Sequence, residues 1–151
     1  MDYSTTHEKL TLELKQDNEG WPPVSVETVW IKKLSDGRYM VDSIPFYSSE
    51  VALGDIVGVK PSVDGTNQLI NVITPSGAST LHVLAGSQKA LDESILPLLN
   101  GLGLKVERAN ERYAAVSVPV ESSYKMIREK LDDMSSKGLL TYQESLLRHK
   151  I

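Results

Sequence analysis

The sequence contains no cysteine and no long apolar run, and each absence excludes a class of protein. None of the 151 residues is a cysteine, which excludes disulfides, thiolate metal sites and cysteine nucleophiles. The apolar runs are far shorter than the roughly 20 residues that cross a bilayer. The N-terminal segment MDYSTTHEKL also lacks the apolar core of an export signal. We therefore expect a soluble, cytoplasmic protein without a membrane partner.

The chain also lacks a basic stretch. Residues 1–75 hold 6 Lys/Arg and 11 Asp/Glu, a net charge of −5, whereas residues 76–151 hold 10 and 9, a net charge of +1. An acidic half repels phosphate backbones, and the strand-like segments STLHVLA and RYAAVSV offer only Tyr113 and His82 for stacking on bases. We therefore expect no nucleic-acid partner. The acidic half is either a solvated surface or a face for a basic partner.

Patterns for catalysis and for metal binding are absent as well. The three histidines form no pair at metal-ligand spacing: His7, His82 and His149. There is no Gly-x-Ser-x-Gly elbow. The segment TPSGAST could place backbone N–H groups around an anion, but it precedes a strand and has no P-loop lysine. We predict no metal, no cofactor and no enzymatic activity. The alternative that stays open is an enzyme site at Ser76, Ser79, Thr80 and His82.

The first half has the pattern of a small β-barrel. In KLTLELK, the residues Leu10, Leu12 and Leu14 alternate with polar residues, which is typical of a half-buried strand. Four further strand-like runs follow, VSVETVWIKKL, YMVDSI, IVGVKP and QLINVIT, with Asp-Gly turn signals in SDGR and SVDGTN. Five short strands with tight turns predict a small antiparallel β-barrel-like sheet over residues 1–75.

The second half alternates strands with amphipathic helices. A helix should begin after Ser87 as N-cap, with an irregularity caused by Pro97. A second helix should end at Gly138 and bury one row of residues: Tyr124, Ile127, Leu131 and Met134. The order strand, helix, strand, strand, helix, strand predicts a ferredoxin-like domain over residues 76–151, so that the whole chain is an α+β protein. We expect the boundary at Pro75-Ser76-Gly77 and a frayed tail, LLRHKI.

Trp21 stands before two prolines in the segment NEGWPPVSVETVW. Because Pro22 and Pro23 restrict the backbone that enters the second strand, Trp21 could fold over the open end of the barrel and pack there with other apolar residues: Trp30, Pro45 and Phe46. Burial of such a ring contributes about 2–3 kcal/mol. In the alternative interpretation, Trp21 is exposed and anchors a protein interface.

Four segments together resemble an uncharacterised bacterial domain-of-unknown-function family: GWPPVSVETVW, DGRYMVDSIPF, LGDIV and SGASTLHV. They carry Gly-Trp-Pro-Pro, Ile-Pro-Phe and Gly-Asp motifs, and the resemblance extends from about Lys9 to Glu144. The family pattern has a histidine before the Ser-Thr pair and an arginine two residues after it, where this chain has Ala78 and His82. A catalytic role of that loop would therefore not carry over. The resemblance implies no activity, although some similar small proteins are immunity proteins for bacterial toxins.

These observations predict a non-enzymatic cytoplasmic binding protein. Its first interpretation is an immunity protein that neutralises a bacterial toxin by occluding a basic surface, since complementary charges steer such encounters. The predicted partner-binding residues are acidic or aromatic residues of the first half: Trp21, Asp36, Asp42, Tyr47, Glu50, Asp55 and Asp64. The alternatives are a small-molecule-binding regulatory module, suggested by analogy of fold alone, and an uncharacterised enzyme with its site near Ser76–His82.

Overall fold

The computed structural model describes residues 7–150. The chain divides into two compact units, Met1–Ser76 (unit 1) and Gly77–Ile151 (unit 2), and each unit has a hydrophobic core of its own. The division lies within the Pro75-Ser76-Gly77 segment. No helix in residues 7–150 is long and apolar enough to cross a membrane.

Unit 1 is a closed five-stranded barrel, as the alternating pattern predicted. Its strands follow one another in chain order around the barrel: β1 (His7–Glu13), β2 (Val26–Lys33), β3 (Tyr39–Val41), β4 (Ile56–Pro61) and β5 (Asn67–Thr74). Successive strands pair antiparallel, whereas β1 and β5 pair parallel. The prediction of a wholly antiparallel barrel is therefore wrong at this closing pair. In an up-and-down barrel with an odd number of strands, the first and last strands must run in the same direction.

The barrel core follows the alternation of apolar residues along the strands. Leu10 and Leu12 of β1 are buried, and so are Val29 and Ile31 of β2, because successive side chains of a strand point to opposite faces. Leu14, the third member of the predicted row, lies beyond β1 and is only half-buried.

Unit 2 has a four-stranded antiparallel sheet and two helical segments. Its strands are β6 (Ser79–Ala85), β7 (Lys105–Arg108), β8 (Tyr113–Val118) and β9 (Leu140–Leu146), which lie in the order β7-β8-β6-β9. The first helical segment consists of α1 (Gln88–Ala90), a π-helical turn (Leu91–Ile95) and α2 (Leu96–Gly101), and the second is α3 (Tyr124–Ser136). The mixed α+β architecture is thereby confirmed.

Local signals in the sequence account for the helix ends. The side chain of Ser87 accepts a hydrogen bond from the backbone N–H of Ala90, as an N-cap does. The irregularity predicted for Pro97 lies just before it, in the π-helical turn, because a proline has no N–H and its ring clashes with the carbonyl four residues earlier. Helix α3 buries the predicted row of four residues, and Gly138 follows it with φ of 75°.

The tail does not fray as predicted. The backbone N–H groups of Arg148 and His149 both donate to the Ser79 hydroxyl, at 2.9 and 3.1 Å. This part of the prediction is wrong because nothing local in LLRHKI reveals a partner about 70 residues away. Ile151, at the end of the predicted tail, lies outside the described residues.

Candidate functional site

A groove of about 290 Å³ opens on unit 1 where β1 and β5 separate. The two strands pair only through Leu10 with Asn67 and Thr11 with Gln68. In the described residues, β1 continues to Glu13 without a partner in β5. The walls of the groove include residues 11–13 of β1 and residues 68–69 of β5. We call it the seam groove, because it continues the short parallel seam that closes the barrel.

The seam groove is acidic. Three carboxylates line it, those of Glu13, Glu50 and Asp64, and no lysine or arginine of the described residues does. The other lining residues are uncharged polar or apolar side chains: Thr11, Ser62, Thr66, Gln68, Leu12, Val26 and Leu69. The groove therefore has a negative potential above a partly apolar surface, which suits a cationic side chain with an aliphatic stem.

Asp64 is held in its charged form by the turn between β4 and β5. Its Oδ1 atom accepts hydrogen bonds from the N–H of Thr66 at 3.0 Å and from the Thr66 hydroxyl at 2.7 Å. These bonds, the backbone bond first, hold the pKa of Asp64 below its ordinary value. The Thr66 oxygen in turn accepts the hydroxyl proton of Thr11, at 3.0 Å. The carboxylate is thus fixed to a turn that is itself tied to β1.

The Glu27 side chain holds the loop that precedes Glu50, a residue of the groove. The Glu27 carboxylate, on β2, accepts the backbone N–H groups of Phe46, Tyr47 and Ser48, at 2.9, 3.0 and 2.6 Å. The same loop presents the Tyr47 ring, which contacts the Trp21 ring edge-on with centroids 5.6 Å apart. Sequence reasoning missed Glu27, since an acidic residue within a strand gives no local sign that it binds a distant loop.

The structure bears on the two interpretations of Trp21. The residue is 45% exposed, so the full burial of its ring over the barrel core is not observed, whereas its packing with Trp30, Pro45 and Phe46 stays a prediction. The backbone explains the position: the N–H of Trp21 donates to the Asp17 carboxylate at 2.9 Å, and the Trp21 carbonyl accepts the Asp17 N–H at 2.7 Å. This turn holds the ring at the surface against Tyr47. Part of the ring is therefore accessible from the surface.

Four of the five predicted acidic residues lie at the surface, in three different environments. Glu50 and Asp64 line the seam groove. Asp36 is exposed in the turn between β2 and β3 and pairs with Arg38 at 2.7 Å, while Asp42 is one-third exposed and bonds the buried His7 ring at 2.5 Å. Neither Asp36 nor Asp42 lines the seam groove.

Asp55 departs from the predicted acidic face. It is fully buried, and its two oxygens accept the N–H groups of Ala52 and Ser76, each at 2.9 Å. Because an internal carboxylate cannot reach a partner, its inclusion among the partner-binding residues is wrong. Aspartates in turns often bond nearby backbone groups, as Asp55 does with Ala52. The preceding residue of this turn is Gly54, whose φ is 87°.

The residues of the alternative enzyme site are divided between the two units, with Ser76 in unit 1 and Ser79, Thr80 and His82 in unit 2. The Ser76 hydroxyl donates to the Leu53 carbonyl at 2.8 Å. Ser79 and Thr80 are consecutive residues of β6 and therefore point to opposite faces. The buried Thr80 hydroxyl has no hydrogen-bond partner among residues 7–150. His82 is buried, bonds Ser145 through Nδ1 at 2.5 Å and stacks on Tyr113.

A second polar cluster lies in unit 2, around His149. Its Nδ1 atom is 2.6 Å from the Ser79 hydroxyl and its Nε2 atom is 2.8 Å from the Pro119 carbonyl. Its ring stacks on Tyr124, with centroids 5.1 Å apart. Although a serine beside a histidine can be a nucleophile with its base, Ser79 is fully buried and already accepts two backbone N–H groups. The cluster therefore fixes the segment 147–150 to the rest of unit 2.

Tyr124 extends this cluster toward helix α3 and β9. Its hydroxyl donates to the Glu144 carboxylate, which lies 3.7 Å from the Arg128 guanidinium. Burial, and then the bond to Glu144, raise the pKa of Tyr124 well above its ordinary value. In the described residues no group of three or more histidine, aspartate or glutamate side chains could hold a metal ion.

Comparison with known proteins agrees with this architecture. A solved structure described as "Novel crystal structure of a hypothetical protein from Neisseria gonorrhoeae" is 22% identical, with a TM-score of 0.77, over 95% of this chain and 96% of that chain. At this identity the likeness shows a shared fold. No curated protein matches the chain. Residues 27–142 match the family described as "Domain of unknown function (DUF4265)", which is more than half of the sequence, and the chain therefore belongs to that family.

Proposed function

We propose that this protein binds a partner protein through unit 1, and that the partner is a bacterial toxin which it neutralises by occlusion. The observation that carries the proposal is the seam groove, with three carboxylates and no basic side chain of the described residues. Residues 1–75 also have a net charge of −5. A basic surface would be drawn to such a face, because complementary potentials accelerate encounter and suppress wrong partners.

Exposed aromatic and aliphatic side chains supply the apolar part of this face. Trp21 is 45% exposed beside Tyr47, and Val24 and Val26 are 41% and 50% exposed along the entry to β2. Val26 itself lines the seam groove. Tryptophan and tyrosine are enriched among the residues that contribute most to binding free energy. They would anchor a partner whose basic residues meet the groove.

We assign unit 2 a ferredoxin-like arrangement, supported by its order of strands and helices and by the sheet order β7-β8-β6-β9. Both helical segments pack into one core with the same sheet. We place the protein in the cytoplasm, because a chain without cysteine forms no disulfide and needs no oxidising compartment.

Co-expression with the neighbouring open reading frame tests the proposal. The tagged chain should retain the neighbour in a stoichiometric complex and restore growth when the neighbour is toxic alone. The double variant Glu50→Lys, Asp64→Lys should reduce the association rate by about tenfold or more. The control is the double variant Glu121→Lys, Glu129→Lys, which makes the same total charge change at exposed positions of unit 2. A harmless neighbour that is not retained would contradict the toxin assignment.

A small cationic molecule is the second candidate ligand. The groove volume of about 290 Å³ is near the lower limit of small-molecule sites, roughly 300–1,000 Å³. A thermal-shift screen with metabolites, in the absence of any partner protein, separates the two candidates, since a ligand that binds the folded state raises Tm. The alternative enzyme near Ser76–His82 stays a prediction.

A further inference from the structure

The backbone of Glu13 points into the seam groove. In antiparallel pairs, residues that form hydrogen bonds with the opposite residue alternate with residues that do not. The N–H of Leu14 bonds the carbonyl of its opposite residue, Ser25, at 2.8 Å, so the even-numbered residues of β1 bond β2. The N–H and C=O of Glu13 therefore point away from β2. The same alternation accounts for Lys9, whose carbonyl points toward β5 and accepts the Asn67 side chain at 3.1 Å.

The second wall of the seam groove is also a strand edge. β5 pairs with β4 along one edge, for example through Leu69 with Val59 and Val72 with Val57. Its other edge pairs with β1 only at Asn67 and Gln68, although β5 continues to Thr74. The groove therefore begins where this pairing ends, between one edge of β1 and one edge of β5.

The carboxylates explain which chemistry this opening favours. Three negative charges around one small groove repel one another, and Asp64 is held ionised by its turn. No group of described residues has the geometry to hold a metal ion. The three carboxylates come from three different parts of the chain. In an extended segment, alternate side chains point the same way, so a row of basic side chains could reach several of these carboxylates together.

We propose that the seam groove is a strand-addition site, which takes an extended segment of the partner protein containing lysine or arginine. The main chain of that segment bonds the free edge of β1 at Glu13, as in other cases where a peptide adds a strand to a sheet edge. Its basic side chains meet Glu13, Glu50 and Asp64. The identification of a protein as the source of the segment rests on the function proposed above, whereas the mode of binding rests on the seam itself.

Synthetic peptides test the binding mode without knowledge of the partner. The probes are a hexapeptide of alternating lysine and valine, the same peptide with glutamate in place of lysine, and the lysine peptide with an N-methyl group on every backbone nitrogen. In nitrogen-15 NMR spectra of the full chain, the lysine peptide should shift the amide signals of Glu13 and Leu69. The N-methylated peptide should bind at least about tenfold more weakly, because it cannot donate to the Glu13 carbonyl, and the glutamate peptide should not bind.

Two variants at one position separate backbone from charge. Glu13→Ala removes the carboxylate but keeps the N–H, whereas Glu13→Pro removes both. Proline is tolerated in strands where the N–H is outside the ladder, and circular dichroism checks that each variant folds. The proline variant should bind the lysine peptide at least about tenfold more weakly than the alanine variant. If the proline variant does not fold, the N-methylated peptide answers the same question.

The results distinguish a failure of this inference from a failure of the proposed function. Equal binding of the methylated and unmethylated peptides, or amide shifts confined to residues outside the groove, would overturn strand addition even if a partner protein is captured. Binding of the glutamate peptide as tight as that of the lysine peptide would overturn the charge preference. Peptide binding at Glu13 would support the seam site even if the neighbouring gene product proves harmless.

Discussion

Replacement of His149 by alanine tests the cluster that holds the segment 147–150. The Pro119 carbonyl can only accept a hydrogen bond, so the Nε2 atom of His149 carries a proton and Nδ1 accepts the proton of the Ser79 hydroxyl. In this arrangement every polar atom of the cluster is satisfied. His149→Ala removes both bonds of the imidazole and its stacking on Tyr124, and it leaves the buried Ser79 proton without an acceptor.

The expected loss of stability follows from these contacts. Each neutral hydrogen bond contributes about 0.5–1.5 kcal/mol net, and an aromatic pair contributes about the same again. The free energy of unfolding of unit 2 should therefore fall by about 2–4 kcal/mol. The control is Lys150→Ala, an exposed neighbour, for which a change within about 0.5 kcal/mol is expected.

Urea unfolding followed by far-ultraviolet circular dichroism measures this loss, because all helical elements of residues 7–150 lie in unit 2. Hydrogen exchange adds a local observable: the amides of Arg148 and His149, both bonded to Ser79, should be protected in the native chain and unprotected in the variant. A double-mutant cycle with Ser79→Ala should show a coupling of at least about 0.5 kcal/mol. A native chain with unprotected amides, or a variant as stable as the control, would refute the assigned contacts.

Two further predictions concern titration and an internal carboxylate. Burial, and then the bond to Asp132, raise the pKa of Tyr142 to about 12. Because the folded state favours the neutral phenol, Tyr142 contributes to the free energy of unfolding below about pH 10, the ordinary pKa of tyrosine. This contribution is lost as the pH rises toward 12. Tyr142→Phe should reduce that loss, which unfolding curves measured across the alkaline range would show. Asp55→Ala removes the acceptor of two N–H groups and should lower the free energy of unfolding of unit 1 by about 2–5 kcal/mol. Tryptophan fluorescence measures this loss, because both tryptophans lie in unit 1. The control Asp36→Asn, in an exposed turn, should change the free energy of unfolding little.

Local patterns were sufficient for the elements and for much of the core. Alternation placed Leu10 and Leu12 inside the barrel, and helical spacing identified the buried face of α3. The Ser87 cap and the end at Gly138 were also predicted correctly. These features depend on neighbours within one or two turns, so the sequence order itself carries the information.

Features that depend on distant pairing were missed. The parallel seam joins residues more than 50 positions apart, Glu27 binds a loop about 20 residues later, and His149 binds Ser79 across 70 residues. The burial of Asp55 was missed for the same reason, because the Ser76 N–H that it accepts is 21 residues away. No local periodicity reports such contacts, so the acidic residues could be identified by type but not sorted into buried, paired and exposed groups.

The seam groove follows from a constraint on the barrel rather than from any one motif. Five strands in up-and-down order must close through a parallel pair, and this pair is limited here to two residues on each strand. An unpaired strand edge is a risk of unwanted association, and charged side chains are a common protection against it. Glu13, Glu50 and Asp64 would repel an acidic edge, and a neutral edge would have to cover these charges at a cost. A basic strand would instead be attracted by the same charges. Protection against general association and recognition of one class of partner would thus depend on the same three residues.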